Sequence, residues 1–115
     1  IAKMESDQKI GVLGCRLLNP NKSLQQSVRR LPTILNQLVI LFKLHKFFPS
    51  LLHNYLAKDF DYSREQRVDQ VMGAFFLVRR SVFREIGLLD EKYFIWFEEV
   101  DFCSRVVQAD SDVVY

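Results

Sequence analysis

The spacing of apolar and polar positions along the chain predicts an α/β protein. Runs rich in β-branched and apolar residues are typical of buried strands. They predict strands at 9–18, 24–30, 68–78 and 112–115. Apolar residues with helical spacing predict helices at 33–48, 82–86 and 98–110. This order of elements fits an α/β layered domain better than an all-helical one.

Local signals predict where these elements begin and end. The cluster at 19–23 (NPNKS) is a turn signal that precedes a returning strand. Thr33 is expected to cap the first helix and Pro49 to end it. Ser81 is expected to cap the second helix, and Gly87 is well placed to stop it.

The helix at 33–48 carries a wide apolar stripe. The stripe comprises Ile34, Leu35, Leu38, Val39, Leu41, Phe42 and His45. One interpretation, which the pattern favours, is a core helix that covers a sheet. The other is an amphipathic element at a membrane interface, where Lys43, Lys46 and Lys58 meet anionic lipid. On the second interpretation, the region 33–58 would make the chain a non-catalytic membrane-surface or protein-interaction module.

Composition bounds these alternatives. The chain has 115 residues, 49% of them hydrophobic, and a net charge of +2, which suits one globular domain. The first half (1–58) is basic and the second half acidic, so the first half can face an anionic surface or simply attract the second. Basic residues form no run interleaved with aromatics, so nucleic-acid binding is not expected. No segment is long and apolar enough to span a membrane, and no signal peptide is seen.

Two cysteines and the chain ends complete this picture. Cys15 and Cys103 have no metal-binding spacing, and Cys103 occupies an apolar helical position, so we expect a small core residue there. A reducing, cytoplasmic setting is the default. The first residue is not Met, and the last four residues (DVVY) resemble a strand cut short, so we expect a fragment of a longer chain.

Candidate chemistry lies where the last helix begins. Glu98, Glu99 and Asp101 follow four aromatic residues: Tyr93, Phe94, Trp96 and Phe97. Acids in a first helical turn are common, because the helix dipole stabilises them, and Asp101 can pair with Arg105 four residues later. Alternatively, the aromatics make a half-dry wall and one carboxylate accepts a proton from a substrate hydroxyl. Glu98 and Glu99 point about 100° apart on a helix, so they would have different roles.

The segment 73–105 contains a Gly-Ala step, a double Arg, a Leu-Leu-Asp-Glu turn and the sequence WFEEVDFCSR. With these motifs it resembles the C-terminal half of the catalytic domain of family 2 glycosyltransferases. The bacterial rhamnosyltransferase-like enzymes of polysaccharide assembly are the branch it resembles. Residues 10–33 are similar to the family's strand and Asn-Pro turn, and the likeness is weakest at 35–65.

The resemblance implies a partial GT-A fold, a mixed sheet with flanking helices from which the N-terminal nucleotide-binding half is absent. Residues 1–115 would be the acceptor-side part of one catalytic domain, with a variable helical insertion at 33–66. The full enzyme would transfer a sugar, rhamnose in this branch, with inversion from a nucleotide-sugar donor to a cell-surface polysaccharide or lipid-linked acceptor. It would work in the cytoplasm at the inner face of the membrane.

The resemblance also assigns roles by position. Glu99 matches the general base and Glu98 its neighbour. Substrate contacts are expected from Gly73, Ala74, Trp96 and Asp101, with Arg105 in support. The family's Mg²⁺ or Mn²⁺ is held by an Asp-x-Asp-like motif that would precede residue 1. The pairs at 59–61 and 110–112 lie elsewhere and are not assigned metal, so this fragment alone is expected to be inactive.

Overall fold

A computed structural model describes residues 1–93 and 97–115 and has the expected α/β class. The helices are α1 (Ala2–Ser6), α2 (Ile34–Leu41), α3 (Arg80–Ile86) and α4 (Glu98–Gln108). The strands are β1 (Ile10–Leu13), β2 (Leu17–Leu18), β3 (Leu24–Gln25), β4 (Val28–Arg29), β5 (Gln70–Val71), β6 (Leu77–Val78) and β7 (Asp112–Val114). Two short 3-10 segments follow α2, at Leu44–Lys46 and Pro49–Leu52.

The central sheet is mixed and has the order β6-β1-β7. β1 runs antiparallel to β6 and parallel to β7. Because side chains alternate along a strand, neighbouring residues enter different cores. Val12, Val78 and Val113 belong to the larger core, under α4. Leu13, Leu77 and Val114 belong to a smaller core, with Met4 of α1 and Ile10.

α4 supplies the centre of the larger core. Phe102, Cys103 and Val106 have no exposed surface, and the rings of Phe76 and Phe83 pack on Phe102. The prediction of Cys103 as a core residue is confirmed. Val107 is 47% exposed, because it lies about 100° around the helix from the buried Val106.

The predicted strands form in part. The turn at 19–23 is confirmed, and it joins β2 to β3 with Leu18 opposite Leu24. The strand predicted at 9–18 is interrupted between β1 and β2. The strand predicted at 68–78 is also split, because residues 72–76 form an irregular turn around Gly73 between β5 and β6. We name residues 72–76 the glycine loop.

The helix boundaries correct two predictions. Thr33 caps α2 as expected, its Oγ1 accepting from the backbone nitrogen of Asn36 at 3.2 Å. However, α2 ends at Leu41, because Lys43 adopts a left-handed conformation with φ 55°. α3 begins after Arg79, so the cap predicted at Ser81 is wrong. Gly87 ends α3 with φ 80°, as predicted.

The core interpretation of α2 is wrong. Val39 is the one buried residue of this helix, while Ile34, Leu35, Leu38 and Leu41 are exposed. The stripe exists, but it faces away from the sheet. Periodicity establishes which residues share a helix face and leaves open what lies against that face.

Candidate functional site

The glycine loop and the first turn of α4 line a half-open cavity of about 420 Å³. Seven residues line it: Met72, Gly73, Ala74, Phe76, Leu89, Glu98 and Glu99. The structure therefore brings together four of the residues singled out in the sequence, namely Gly73, Ala74, Glu98 and Glu99. Two carboxylates face a backbone turn across a partly apolar space.

Helix geometry explains why the two glutamates point inward. Residues four apart lie on the same helix face, so Glu98 sits above Phe102 and Glu99 above Cys103. Both of those later residues are completely buried. The first-turn carboxylates consequently continue the buried side of α4, and both are half-buried.

Glu98 is the more enclosed of the two at the atomic level. Its Oε2 atom is buried and has no hydrogen-bond partner among the described residues. A buried acceptor without a donor costs free energy, and more when it carries charge. This oxygen carries that cost inside the fold, where a water-sized molecule does not reach it.

Gly73 leaves the cavity open on the opposite side. A Cβ atom built on Gly73 would meet no other atom within 4 Å. The backbone of the glycine loop can therefore be approached closely.

Phe97 holds an unusual backbone conformation directly before α4. It occupies the N-cap position with φ 70°, a left-handed value that costs a non-glycine residue roughly 1–2 kcal/mol, and its side chain makes no capping bond. The start of α4 is thus a strained point of the chain. Strain of this kind persists where the surrounding structure imposes it.

Asp101 and Arg105 lie outside the cavity. Asp101 lines a neighbouring cavity of about 250 Å³, and its Oδ2 accepts from Arg105 Nε at 2.8 Å. The other Arg105 nitrogens donate to the carbonyls of Ile86 (2.6 Å) and Leu88 (3.0 Å). Arg105 therefore joins α4 to the end of α3. Trp96, the remaining predicted substrate contact, lies outside the described residues.

Three lining residues were not singled out from the sequence: Met72, Phe76 and Leu89. Met72 directly precedes Gly73, so it could have been predicted as a sequence neighbour of a proposed contact residue. Phe76 and Leu89 reach the cavity through the path of the glycine loop and of the connector after α3. No local pattern indicates that path.

Cys103 is a core residue without chemistry. Burial raises the pKa of its thiol to about 12, so the reactive thiolate is absent at neutral pH. The neighbouring Glu99 carboxylate adds to this shift.

The described residues offer no group of three or more His, Cys, Asp or Glu side chains that would hold a metal ion. The two Asp-x-Asp pairs are engaged with the protein. Asp61 accepts from Ser63, which lowers its pKa, and Asp112 pairs with Arg67 at 2.9 Å. The chain as described does not fit the divalent ion that the resemblance implies.

Comparison with known proteins gives two kinds of relative. An N-acetylglucosaminyl-diphospho-decaprenol L-rhamnosyltransferase of Mycobacterium tuberculosis, found in two strains, is 31% identical over 111 residues. The match covers 93% of this chain and 35% of that protein. A low-salt glycan biosynthesis hexosyltransferase, Agl10, of Haloferax volcanii is 42% identical over 46 residues, which is 40% of this chain and 15% of that protein.

This chain is related to family 2-like glycosyltransferases. It spans about a third of the length of the rhamnosyltransferases that it matches. No family model matches the chain. No solved structure matches it either. The mixed sheet with helices is compatible with part of a glycosyltransferase fold. Within the described residues, every helix is too short or too polar to cross a bilayer.

Proposed function

We propose that this chain is the acceptor-side part of an inverting glycosyltransferase catalytic domain with a GT-A fold. The observation that carries the proposal is the cavity in which Glu98 and Glu99 face the glycine loop. The relationship to a rhamnosyltransferase and a hexosyltransferase supports the reaction class. The region 33–66, with α2 and the two 3-10 segments, is a variable helical insertion in this proposal.

Glu99 is the general base of the proposed reaction. Its carboxylate accepts the proton of an acceptor hydroxyl while that oxygen forms a bond to the anomeric carbon of the donor sugar. The bond from the anomeric carbon to the diphosphate breaks in the same step. The nucleoside diphosphate leaves with the electron pair, and attack from the opposite side inverts the anomeric centre.

Glu98 positions a substrate rather than moving its proton. Glu98 lines the cavity beside Glu99, so its carboxylate accepts a hydrogen bond from a sugar hydroxyl bound there. Gly73 and Ala74 offer an open backbone to the same ligand. Asp101 and Trp96 remain proposed substrate contacts, Asp101 through the neighbouring cavity.

The donor and the metal belong to a longer protein. The donor is a nucleotide sugar, with rhamnose as the transferred sugar, and the acceptor is a growing cell-surface polysaccharide or a lipid-linked glycan. Mg²⁺ or Mn²⁺ is expected on a motif outside this chain. The proposed location is the cytoplasm, at the inner face of the cell membrane.

Sugar transfer by the full-length protein tests the assignment. Glu99→Gln keeps the shape of the side chain and removes its basicity, so kcat should fall about 100-fold or more. Glu98→Gln should mainly raise the KM for a substrate. Glu85→Gln, an exposed acid on α3, is the matched control and should leave both constants unchanged.

Two results would contradict the proposal in different ways. If Glu99→Gln transfers sugar at the parent rate while Glu98→Gln abolishes transfer, the base is Glu98. If both variants match the parent, the cavity is not the site of transfer and the result favours the non-catalytic alternative.

A further inference from the structure

The region after Thr33 exposes a large group of apolar side chains. We name this group the apolar patch. Four of its residues are in α2 and two are in the 3-10 segments, and the other three lie directly beside these elements: Ile34, Leu35, Leu38 and Leu41; Leu44 and Leu51; Phe42, Phe47 and Phe48. Ile34 is 82% exposed and Phe47 is 78% exposed. The three elements contact one another, so their exposed residues belong to one surface region.

α2 has the reverse of the usual orientation of an amphipathic helix. Surface helices place the apolar side toward the protein and the polar side toward water. In α2 the polar Asn36 and Gln37 are half-buried, while the leucines and isoleucine of the stripe are exposed. An exposed apolar surface of this extent marks an interaction site.

The charged residues between positions 33 and 58 are all basic. Lys43, Lys46 and Lys58 are exposed, and the sequence contains no Asp or Glu between positions 33 and 58. None of the three lysines forms an ion pair within the described residues. The surface therefore combines a broad apolar area with free positive charge.

We propose that the apolar patch docks on an anionic lipid surface. Apolar side chains of this kind enter the boundary between headgroups and acyl chains, and lysines beside them meet the anionic headgroups. A second copy of the chain fits less well, because a symmetric contact would bring the lysines of one copy against those of the other. The lipid surface satisfies both features at once.

The residues directly before the apolar patch lie near the start of α4. Leu31 and Pro32, directly before α2, line the same cavity as Phe97 and Asp101 at the start of α4. Docking would therefore bring the beginning of α4 close to the lipid surface. The relevance of this closeness to sugar transfer rests on the proposed function, whereas docking itself is measured without turnover.

Vesicle co-sedimentation with the full-length protein tests the proposal. The two vesicles are pure phosphatidylcholine and phosphatidylcholine with phosphatidylglycerol. We expect binding to the anionic vesicles that weakens as salt rises. Lys43→Gln with Lys46→Gln should weaken binding about 30-fold. Ile34→Ser with Leu41→Ser, both highly exposed positions that cost little in folding, should weaken it about 100-fold.

Matched variants elsewhere on the surface control for general effects. Lys22→Gln with Lys92→Gln removes two exposed lysines outside the patch. Leu18→Ser with Leu88→Ser removes two exposed leucines outside it. Both control proteins should bind anionic vesicles as the parent does.

Four outcomes would overturn the proposal. Absence of binding to anionic vesicles removes it, and so does equal, salt-independent binding to both vesicles. A dimer seen by sedimentation velocity without lipid, and lost in Ile34→Ser with Leu41→Ser, assigns the patch to a second copy. In the Cys15→Ser background, failure of a polar maleimide to label Ile34→Cys in the lipid-free, full-length protein, while it labels Leu18→Cys, assigns the patch to another part of the same protein.

Discussion

Arg105 and Asp101 form a half-buried ion pair along α4, with Arg105 Nε 2.8 Å from Asp101 Oδ2. The same guanidinium holds the carbonyls of Ile86 and Leu88, so one side chain joins the last helix to the end of α3. It also lies over the ring of Phe102, 5.3 Å from its centroid. Asp101 therefore orients the guanidinium of Arg105, whose other hydrogen bonds go to two backbone carbonyls.

Arg105 should therefore contribute more to stability than Asp101. We expect Arg105→Met to lower the free energy of unfolding by about 2–3 kcal/mol, because two carbonyls lose a charged donor. Asp101→Asn keeps those donors and should cost about 1 kcal/mol or less. Denaturant unfolding measures both. Arg84→Met, an exposed arginine on α3, is the control, and equal losses for Arg105→Met and Asp101→Asn would contradict this division.

Phe97 provides a test of backbone strain at the start of α4. Its φ of 70° favours glycine over every other residue. The free energy of unfolding of Phe97→Gly should therefore exceed that of Phe97→Ala by about 1 kcal/mol in denaturant unfolding. At Arg84, inside α3, the order should reverse, with Gly about 0.5–1 kcal/mol less stable than Ala. Phe97→Ala more stable than Phe97→Gly would show that the left-handed conformation is not required.

The parts of the fold that follow from local signals were predictable. The turn at 19–23, the cap at Thr33 and the stop at Gly87 each depend on residues within a few positions of one another. The exposed face of α2 was not predictable in the same way. The apolar stripe is present, but the residues of the stripe do not indicate which surface packs against it.

The candidate site was also predictable only in part. Glu98 and Glu99 precede Phe102 and Cys103 by four residues, so their inward direction follows from helix geometry once Phe102 is recognised as core. The opposite wall depends on how the glycine loop folds between β5 and β6. Phe76 and Leu89 reach the cavity through that folding alone.

Cys103 should be unreactive in the folded protein. Since burial raises the pKa of its thiol to about 12, a thiol reagent at neutral pH should label the half-exposed Cys15 and spare Cys103. A Cys15→Ser variant should react only after unfolding. Prompt labelling of folded Cys15→Ser would contradict the burial of this side chain.

The same shift predicts a dependence of stability on alkaline pH. The thiol ionises near pH 9 when unfolded and near pH 12 when folded, so its contribution to stability is complete below pH 9 and declines as pH rises toward about 12. Removing the thiol with Cys103→Ala in the Cys15→Ser background should flatten the loss of unfolding free energy across this range. The quantity to compare is the slope of the unfolding free energy against pH, because Cys103→Ala also changes core packing and so shifts the absolute values. An unchanged slope would contradict the assignment.

Gly73 and Gly14 have different expected roles. Gly73 keeps the cavity open to a ligand, whereas Gly14 is required by the packing around it. A Cβ on Gly14 would lie 2.7 Å from Cγ1 of Val71, a rigid and buried side chain, so Gly14→Ala should lower the free energy of unfolding by about 1–3 kcal/mol. A Cβ on Gly73 meets nothing, so Gly73→Ala should leave stability within about 0.5 kcal/mol of the parent. In the full-length protein, however, the added methyl enters the path to Glu98 and Glu99, and we expect kcat/KM for sugar transfer to fall about 10-fold or more. Gly73→Ala with unchanged stability and unchanged transfer would place the substrate elsewhere, whereas a loss of stability at Gly73 would show that the glycine loop is packed more tightly than this structure has it.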